Sequence, residues 1–582
     1  MVVVKSPRTY IVLLVLCVLG LLVYANAIAH PFVHDDIVYI QWNPFIGRWD
    51  NILDVFLHPQ LPFGHVQTPY YRPVLEIFYR LEFLLFGMNA WGFHLVNILI
   101  HIVNAWLIYL CARRLRWAHA WAFFIAIIFL VHPIQTEAVA CVSGISNLAV
   151  VMFMLLALLS HMRGRAAGKV VVWGALGFCL LAFFTKEQAL VFAAIILLYE
   201  ILYRRESMVV KARVILPFVV MTGCFWAWRM HLFPGFASEI GGNPHELKLR
   251  ILAMARVIGM DLGLIFWPVD LHYYRSVNVL APHGWTWGVL TGLTAMGAWF
   301  VGQVPFYVRR GILFGLGLAG VMLLPGLNIL PLINEYSWIL TAEHFIYFSL
   351  CGVMLALAAA GSFLFRKALG LRRQIMLLVG GALIVSLGMV TVYQNRFWRA
   401  EVPLFERTLR FEPGLGRVHM LLARAYANEG RLSDAVKEYT AALQIMQNYV
   451  KRTPASMAVH ALYQQFVKAV YHDRAQVRLI MGDLQGAVLD YRASLKMAFD
   501  GKDSLSANNL GLALLQLGDR TGAREAFMLS LRLDDKQLQA MNNLGMMALE
   551  RRDHRIAKFW FCHVIKISPG YIPALENLKK VR

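Results

Sequence analysis

Ile11 to Tyr24 reads IVLLVLCVLGLLVY, and a short way on the chain continues as His34-Asp35-Asp36-Ile37-Val38-Tyr39. The first run, part of an uncharged stretch over 9–28, is membrane-inserted by its length and composition. The second sets two adjacent carboxylates where the chain leaves the lipid. Ionisable groups beside a bilayer are costly, so they tend to mark a pathway, a ligand site or chemistry. The plain alternative is that Asp35 and Asp36 cap the next short helix.

Outward from that stretch the composition is of one kind: 59% of the 582 residues are hydrophobic and 15% charged. A soluble protein of this size would struggle to stay in water, so a polytopic membrane protein is expected. The formal net charge is +21. Its Lys and Arg sit mostly in short clusters between apolar runs, a pattern of topology signals rather than of nucleic-acid binding. Seven cysteines lie at 17, 111, 141, 179, 224, 351 and 562 without a CxxC spacing, which argues against a disulfide framework and a zinc site. Lys5 and Arg8 ahead of the first run look like a signal peptide, but no small-residue cleavage site follows, so a retained first span is expected.

Apolar stretches over 9–28, 94–112, 119–132, 146–161, 170–184, 188–203, 212–231, 287–307, 311–328, 344–363 and 374–393 predict about eleven spans. The basic clusters at Arg113 to Arg116, His161 to Lys169, Arg204 to Arg213, Arg309-Arg310 and Arg366 to Arg373 then share one side, the cytoplasmic one by the positive-inside rule. Ile251 to Pro268 is apolar too, but Arg256 and Asp261 interrupt it, and it is expected to be interfacial or re-entrant.

From about Arg399 the chain turns polar and repetitive. Asn508-Asn509-Leu510-Gly511 returns as Asn542-Asn543-Leu544-Gly545, and Ala523-x3-Phe527 as Ala557-x3-Phe561, both at an interval of 34. That is the tetratricopeptide period. Looser copies hold Gly430, Ala435 and Tyr439, then Gly482, Ala487 and Tyr491, with an insertion between them around Gln447 to Val459. The expected architecture is all-α: a membrane helix bundle over 1–398 and an α-solenoid over 399–582, whose groove suits an extended peptide or partner helix.

The remaining polar signals fall on the side opposite the basic clusters. The loop from Ala29 to Gly92 carries Trp42, Trp49, Phe56 and Phe63, suited to the headgroup boundary. Arg72, Glu76 and Arg80 repeat every four residues after Pro69-Tyr70-Tyr71; Glu76 and Arg80 read as a surface ion pair, and Arg72 as a phosphate ligand. His94, Asn97, His101 and Asn104 form one helical stripe. Interhelical hydrogen bonding is the expectation for His101 and Asn104, whereas His94, at the span's end, is a site candidate. Glu137, Lys186-Glu187, Arg275 and Glu343-His344 also fall at that side.

Together these motifs resemble a known family. Phe32-Val33-His34-Asp35-Asp36, Tyr71-Arg72-Pro73, Trp91-Gly92-Phe93-His94 with Asn97 and His101, His132-Pro133 with Thr136-Glu137, Lys186-Glu187 and Glu343-His344 with Tyr347 resemble the transmembrane and tetratricopeptide-repeat protein O-mannosyltransferases and their bacterial relatives. The resemblance covers nearly the whole chain. It implies a GT-C glycosyltransferase that takes a sugar from a polyprenyl phosphate carrier, with mannose the expected hexose. By that likeness Asp35 stands where related enzymes carry the Asp of an Asp-Glu pair and is the general base, and Asp36 stands where they carry Glu. The chain departs from the eukaryotic pattern at His344, where Arg is expected, and in its short repeat array.

The chemistry suits the residues. A hydroxyl is a poor nucleophile at neutral pH unless a carboxylate takes its proton, and a departing lipid phosphate wants fixed cations. Asp35 and Asp36 are therefore the catalytic candidates; Arg72, Lys186, Arg275 and His344 the phosphate ligands; His94, Glu137, Glu187 and Glu343 further site candidates. Inversion by single displacement is expected, with no metal or other cofactor, although paired carboxylates would suit Mg2+ or Mn2+. Expected partners are the lipid-linked donor, a protein or peptide acceptor in the repeat groove, and the membrane: a bacterial inner membrane with the repeats extracytoplasmic, or the endoplasmic reticulum with them lumenal. Two competing readings are an oligosaccharide ligase or polymerase, which leans on Arg and His in a late loop, and a membrane scaffold without catalysis.

Overall fold

The computed structural model describes residues 7–50, 52–58, 70–232, 244–275, 284–327, 341–368, 370–452, 457–498 and 503–581. Phe63 and the residues just ahead of Glu343-His344, 328–340, lie outside them. The described chain is helical, with a single isolated bridge between Arg275 and Thr341. It divides into two compact units, Met1–Glu412 and Pro413–Arg582. The division falls later than residue 399 because the helix Glu401–Phe411 packs with the first unit. There the Arg407 Nε donates to the Leu271 carbonyl at 2.6 Å, and the Tyr273 amide to the Thr408 hydroxyl at 3.3 Å.

Among the described residues, seven helices are long and apolar enough to cross a membrane: Pro7–Ala27, Ala90–Arg114, Val142–Ala166, Met208–Leu232, Phe306–Leu327, Ser349–Arg366 and Leu371–Arg399. An eighth candidate is the pair His119–Val131 and Pro133–Ala140, bent by 52°. Proline at 133 has no N–H to continue the ladder, which is why the helix turns there. Hydropathy led to an expectation of about eleven spans; seven or eight of the described helices meet this length and composition on their own. Residues 170–184 and 188–203 fold as Trp173–Phe183 and Phe192–Tyr203, of 11 and 12 residues, with an irregular break at Lys186 and a 3-10 turn between them. At 1.5 Å per residue neither reaches across a ~30 Å hydrocarbon core. Residues 284–303 form a helix too rich in Gly, Thr and Trp to join the apolar set, and 244–266 form another, carrying Arg256 and Asp261.

Ala90–Arg114 and Val142–Ala166 are the most buried of the spans. The polar stripe on the first is spent on backbone and hydroxyl partners: Asn97 donates to the Cys141 carbonyl at 2.8 Å, Asn104 to Leu148 at 2.9 Å, and the His101 Nδ1 lies 2.7 Å from the Tyr347 hydroxyl. Polar side chains in lipid must find such partners. Glu76 and Arg80 are not a surface pair, since both are buried.

In the second unit antiparallel helix pairs stack: Gly416–Asn428 with Leu432–Arg452, Met457–Met481 with Leu484–Met497, Ser504–Gln516 with Arg520–Leu533, and Leu538–Glu550 with His554–Ile567. Ala435, Tyr439, Ala487, Tyr491, Ala523, Phe527, Ala557 and Phe561 are all buried, as the repeat requires. The insertion lengthens the two helices that flank it to 21 and 25 residues.

Candidate active site

A few residues past the first membrane helix, which ends at Ala27, the chain makes one turn, with the Asp36 amide donating to the Val33 carbonyl, and enters the short Ile37–Gln41 helix. That turn sends the two acidic side chains opposite ways. Asp36 is fully buried. Its Oδ1 accepts from the Ser143 amide at 2.7 Å and the Cys141 thiol at 3.4 Å, and its Oδ2 from the Val33 and Val142 amides at 3.2 and 3.3 Å. Burial pushes its carboxyl above the ordinary range, against the pull of those donors. Asp36 therefore pins the loop to the 141–143 turn and is not the open acid of the pair. Asp35 is: its side chain is 48% exposed, with Oδ1 3.2 Å from the His34 Nε2.

The turn that Asp36 grips follows the Thr136–Ala140 helix, which carries Glu137. Glu137 accepts from both the amide and the Nδ1 of His344, at 2.9 and 2.8 Å. The neighbouring Glu343 accepts from the His272 amide at 2.7 Å and the Arg275 guanidinium at 3.1 Å. Burial pushes Glu343 up to about 8; Arg275 opposes this and Glu137 adds to it.

On the other flank Arg72 stands just ahead of the Pro73–Phe86 helix with its guanidinium over the Tyr70 ring at 4.2 Å. It donates to the Glu187 Oε2 at 2.9 Å, while Arg229 donates to Oε1 at 2.8 Å. Burial alone would raise Glu187, but the two guanidinium groups hold its carboxyl well below the usual range. The Lys186 ammonium bonds the Asn147 side chain, and burial, with Arg72 close by, pulls it down to about 7. The break between the two half-length helices is what brings Lys186 and Glu187 inward.

The sequence candidates thus gather in linked groups: Arg72, Lys186 and Glu187 on one flank, Glu137 with His344 and Glu343 with Arg275 on the other, and Asp35 on the turn that Asp36 pins from its buried side. His94 is the exception: it is buried edge-on against His30, with ring centroids 6.1 Å apart. Two participants escaped the sequence reading. Arg229 was readable as the lone guanidinium near the end of the apolar 208–232 helix; Asn147 carried no distinguishing signal. Among the described residues no cluster of three His, Cys, Asp or Glu could hold a metal ion.

Comparison with known proteins follows the same division of the chain. Residues 67–228 match the family described as dolichyl-phosphate-mannose-protein mannosyltransferase, and residues 416–449 and 506–537 match the tetratricopeptide repeat. The chain is 24% identical over 456 residues to the protein O-mannosyl-transferase F38B6.6 of Caenorhabditis elegans, covering 75% of this chain and 63% of that protein. It is 31% identical over 290 residues to Tmtc2 of Drosophila melanogaster and 28% over 300 residues to TMTC2 of Mus musculus. Those matches cover 47% and 46% of this chain, and 30% and 35% of the respective relatives. The chain therefore spans less than two thirds of the length of these curated relatives. Among solved structures it is similar to YrrB, described as a TPR protein with an unusual peptide-binding site, at 13% identity and a TM-score of 0.25 over 31% of this chain and 81% of that one.

Proposed function

We propose that this chain, a homologue of the repeat-bearing protein O-mannosyl-transferases, moves a hexose from a polyprenyl phosphate to Ser or Thr hydroxyls of protein acceptors. Mannose is the sugar that kinship favours. The observation that carries the reading is the separation of the acidic pair, with Asp36 consumed by four donors and Asp35 left half open a few residues past the first membrane helix.

In this reading Asp35 takes the proton of the acceptor hydroxyl as its oxygen attacks the anomeric carbon. The bond from that carbon to the phosphate oxygen breaks, and the electron pair leaves with the lipid phosphate. A single displacement of this kind inverts the anomeric configuration. Arg72, Arg229, Arg275, Lys186 and His344 surround the departing charge in a site where water is scarce and fixed charges act strongly. Their carboxylate partners do not cancel them all. With Glu343 protonated, Glu137, Glu187 and Asp270, which lies 3.8 Å from Arg275, are left to balance three guanidinium groups and an ammonium. The repeat unit presents the acceptor chain in its groove. The site faces away from the cytoplasm, in a bacterial inner membrane or in the endoplasmic reticulum.

The test is incubation of the purified full chain with polyprenyl-phosphate hexoses and a Ser/Thr peptide, read by mass spectrometry. A gain of one hexose that vanishes in Asp35→Asn, with the donor still bound, is the expected result. No gain with any donor, or an active Asp35→Asn, defeats the proposal.

A further inference from the structure

We infer that His34 is the positioning residue of the site, the group that fixes which way the Asp35 carboxylate points. The inference rests on Asp35 being the base. His34 has a φ of 53°, the left-handed region that side-chain-bearing residues seldom adopt. Such a conformation costs energy and persists where the surroundings over-determine it.

Here they do so from three sides. The His34 amide donates to the Glu401 Oε1 at 3.2 Å. Its ring is wedged edge-on between Tyr273, at 4.9 Å, and Phe405, at 5.7 Å. Its Nε2 shares a short hydrogen bond with the Tyr273 hydroxyl, which in turn donates to the Tyr274 hydroxyl at 2.8 Å. Tyr273 is itself held by its amide on Thr408. A helix needing only a cap at this turn would require none of this. The consequence is an Nε2 placed 3.2 Å from the Asp35 Oδ1. The one Nε2 proton is shared between the Tyr273 oxygen and Asp35 Oδ1, so the contact biases the carboxylate toward the ring through Oδ1 and leaves Oδ2 for the acceptor hydroxyl. A carboxylate swinging freely on the surface would spend little of its time in line with an attacking oxygen, and the cost of such misplacement is large.

The clamp joins residues far apart in sequence, 34, 273, 401 and 405, and none of them reaches the acceptor in this account except through Asp35. The ionisable groups around the pair are Asp36 and Cys141 on the turn side, Tyr273 and Tyr274 on the loop side, and Glu401 on the helix side.

Three variants of the full chain test the inference in the hexosyl-transfer assay, beside Asp35→Asn. His34→Phe keeps a ring between Tyr273 and Phe405 but removes the nitrogen. It lowers kcat about 100-fold, the scale of a mispositioned acid-base group, and leaves the donor KM within about twofold. His34→Gln, whose amide reaches the same oxygen, recovers at least about a tenth of the wild-type rate, which a packing role would not allow. Tyr273→Phe leaves the His34 ring in place without its hydroxyl partner and serves if His34→Phe melts early in detergent; it lowers kcat with the donor KM unchanged. The inference falls if His34→Phe keeps the wild-type kcat, if Tyr273→Phe keeps it where His34→Phe does not fold, or if His34→Gln is as slow as His34→Phe. An inactive Asp35→Asn beside a fully active His34→Phe sinks the positioning role alone; an active Asp35→Asn sinks the reading it stands on.

Discussion

Two neighbouring carboxylates, Asp35 and Asp36, differ by everything that surrounds them. Asp36 accepts three amides and a thiol. Asp36→Asn turns an NH2 toward one pair of those donors, so it should cost about 2–3 kcal/mol of stability, the worth of hydrogen bonds to a charged group. Thermal unfolding in detergent checks this, and an unchanged melting temperature contradicts it. Asp35→Asn should melt like the wild type. That contrast lay beyond the sequence, where both residues read alike because burial depends on the distant 141–143 turn. The cations were legible as residue types at span ends, whereas their pairing was not. Their titration predicts a pH dependence. Lys186, pulled down to about 7, loses its charge as pH rises through 7, and Glu343, pushed up to about 8, gains a negative charge as pH rises through 8. Both changes subtract positive charge from the site. The donor KM should therefore rise between pH 6 and 9, over the window set by the two pKa values. Glu343→Gln should remove the upper part of that rise, and a flat KM in the wild type would contradict the assignment. The stability sign for Glu343 runs the same way: its native pKa lies above its unfolded one, so its contribution is full below the unfolded value and is lost as pH rises through 8.

At the level of elements, what periodicity could tell was limited by where helices break. The 34-residue repeat was readable because its small and aromatic positions recur in sequence, and they are the buried ones in the fold. The half-length helices 173–183 and 192–203 were not, since apolar content says nothing of the kink at Lys186. Two spans meet through small residues that hydropathy also ignores. A Cβ on Gly315 would lie 2.5 Å from the Ala356 nitrogen, and one on Gly352 would lie 2.5 Å from the Ala319 nitrogen. Each glycine stands four residues ahead of an alanine in its own helix, the spacing that lets membrane helices approach closely. Gly315→Val must push the two helices apart, at a cost of about 1–3 kcal/mol for overpacking. Its melting temperature should fall, whereas Gly320→Val, with open space around its Cβ position, should not. In the repeats the opposite change helps. Gly430, Gly482 and Gly518 follow their helices with φ near 80°, and Arg552 occupies the equivalent place with φ 61°. Arg552→Gly should stabilise the second unit by about 0.5–1 kcal/mol, the left-handed strain less the entropy of glycine. Urea unfolding that moves to lower concentration would refute this.

For the molecule as a whole, the change of composition near residue 399 announced two units, but the division comes after Glu412 because Glu401 and Arg407 bond to the first. Hydropathy could not see this, for a polar helix that packs on a membrane unit looks like the start of a soluble one. The placement carries a consequence for truncation. Removing 413–582 leaves the Glu401–Phe411 helix, and with it the Glu401 contact to His34, in place. Cutting at 399 takes both away. A chain ending at residue 412 should therefore glycosylate a short Ser/Thr peptide within about twofold of the full chain, since the groups assigned to chemistry all remain. It should be at least about tenfold slower on a long unfolded acceptor, because a groove that tethers the acceptor raises its effective concentration at the site. A chain ending at residue 398 should fail on both. Steady-state rates on a peptide and on a long acceptor separate the cases. If the 398 truncation keeps the peptide activity of the 412 truncation, the helix has no part in the site; if the 412 truncation treats both acceptors alike, the repeats do not present the substrate.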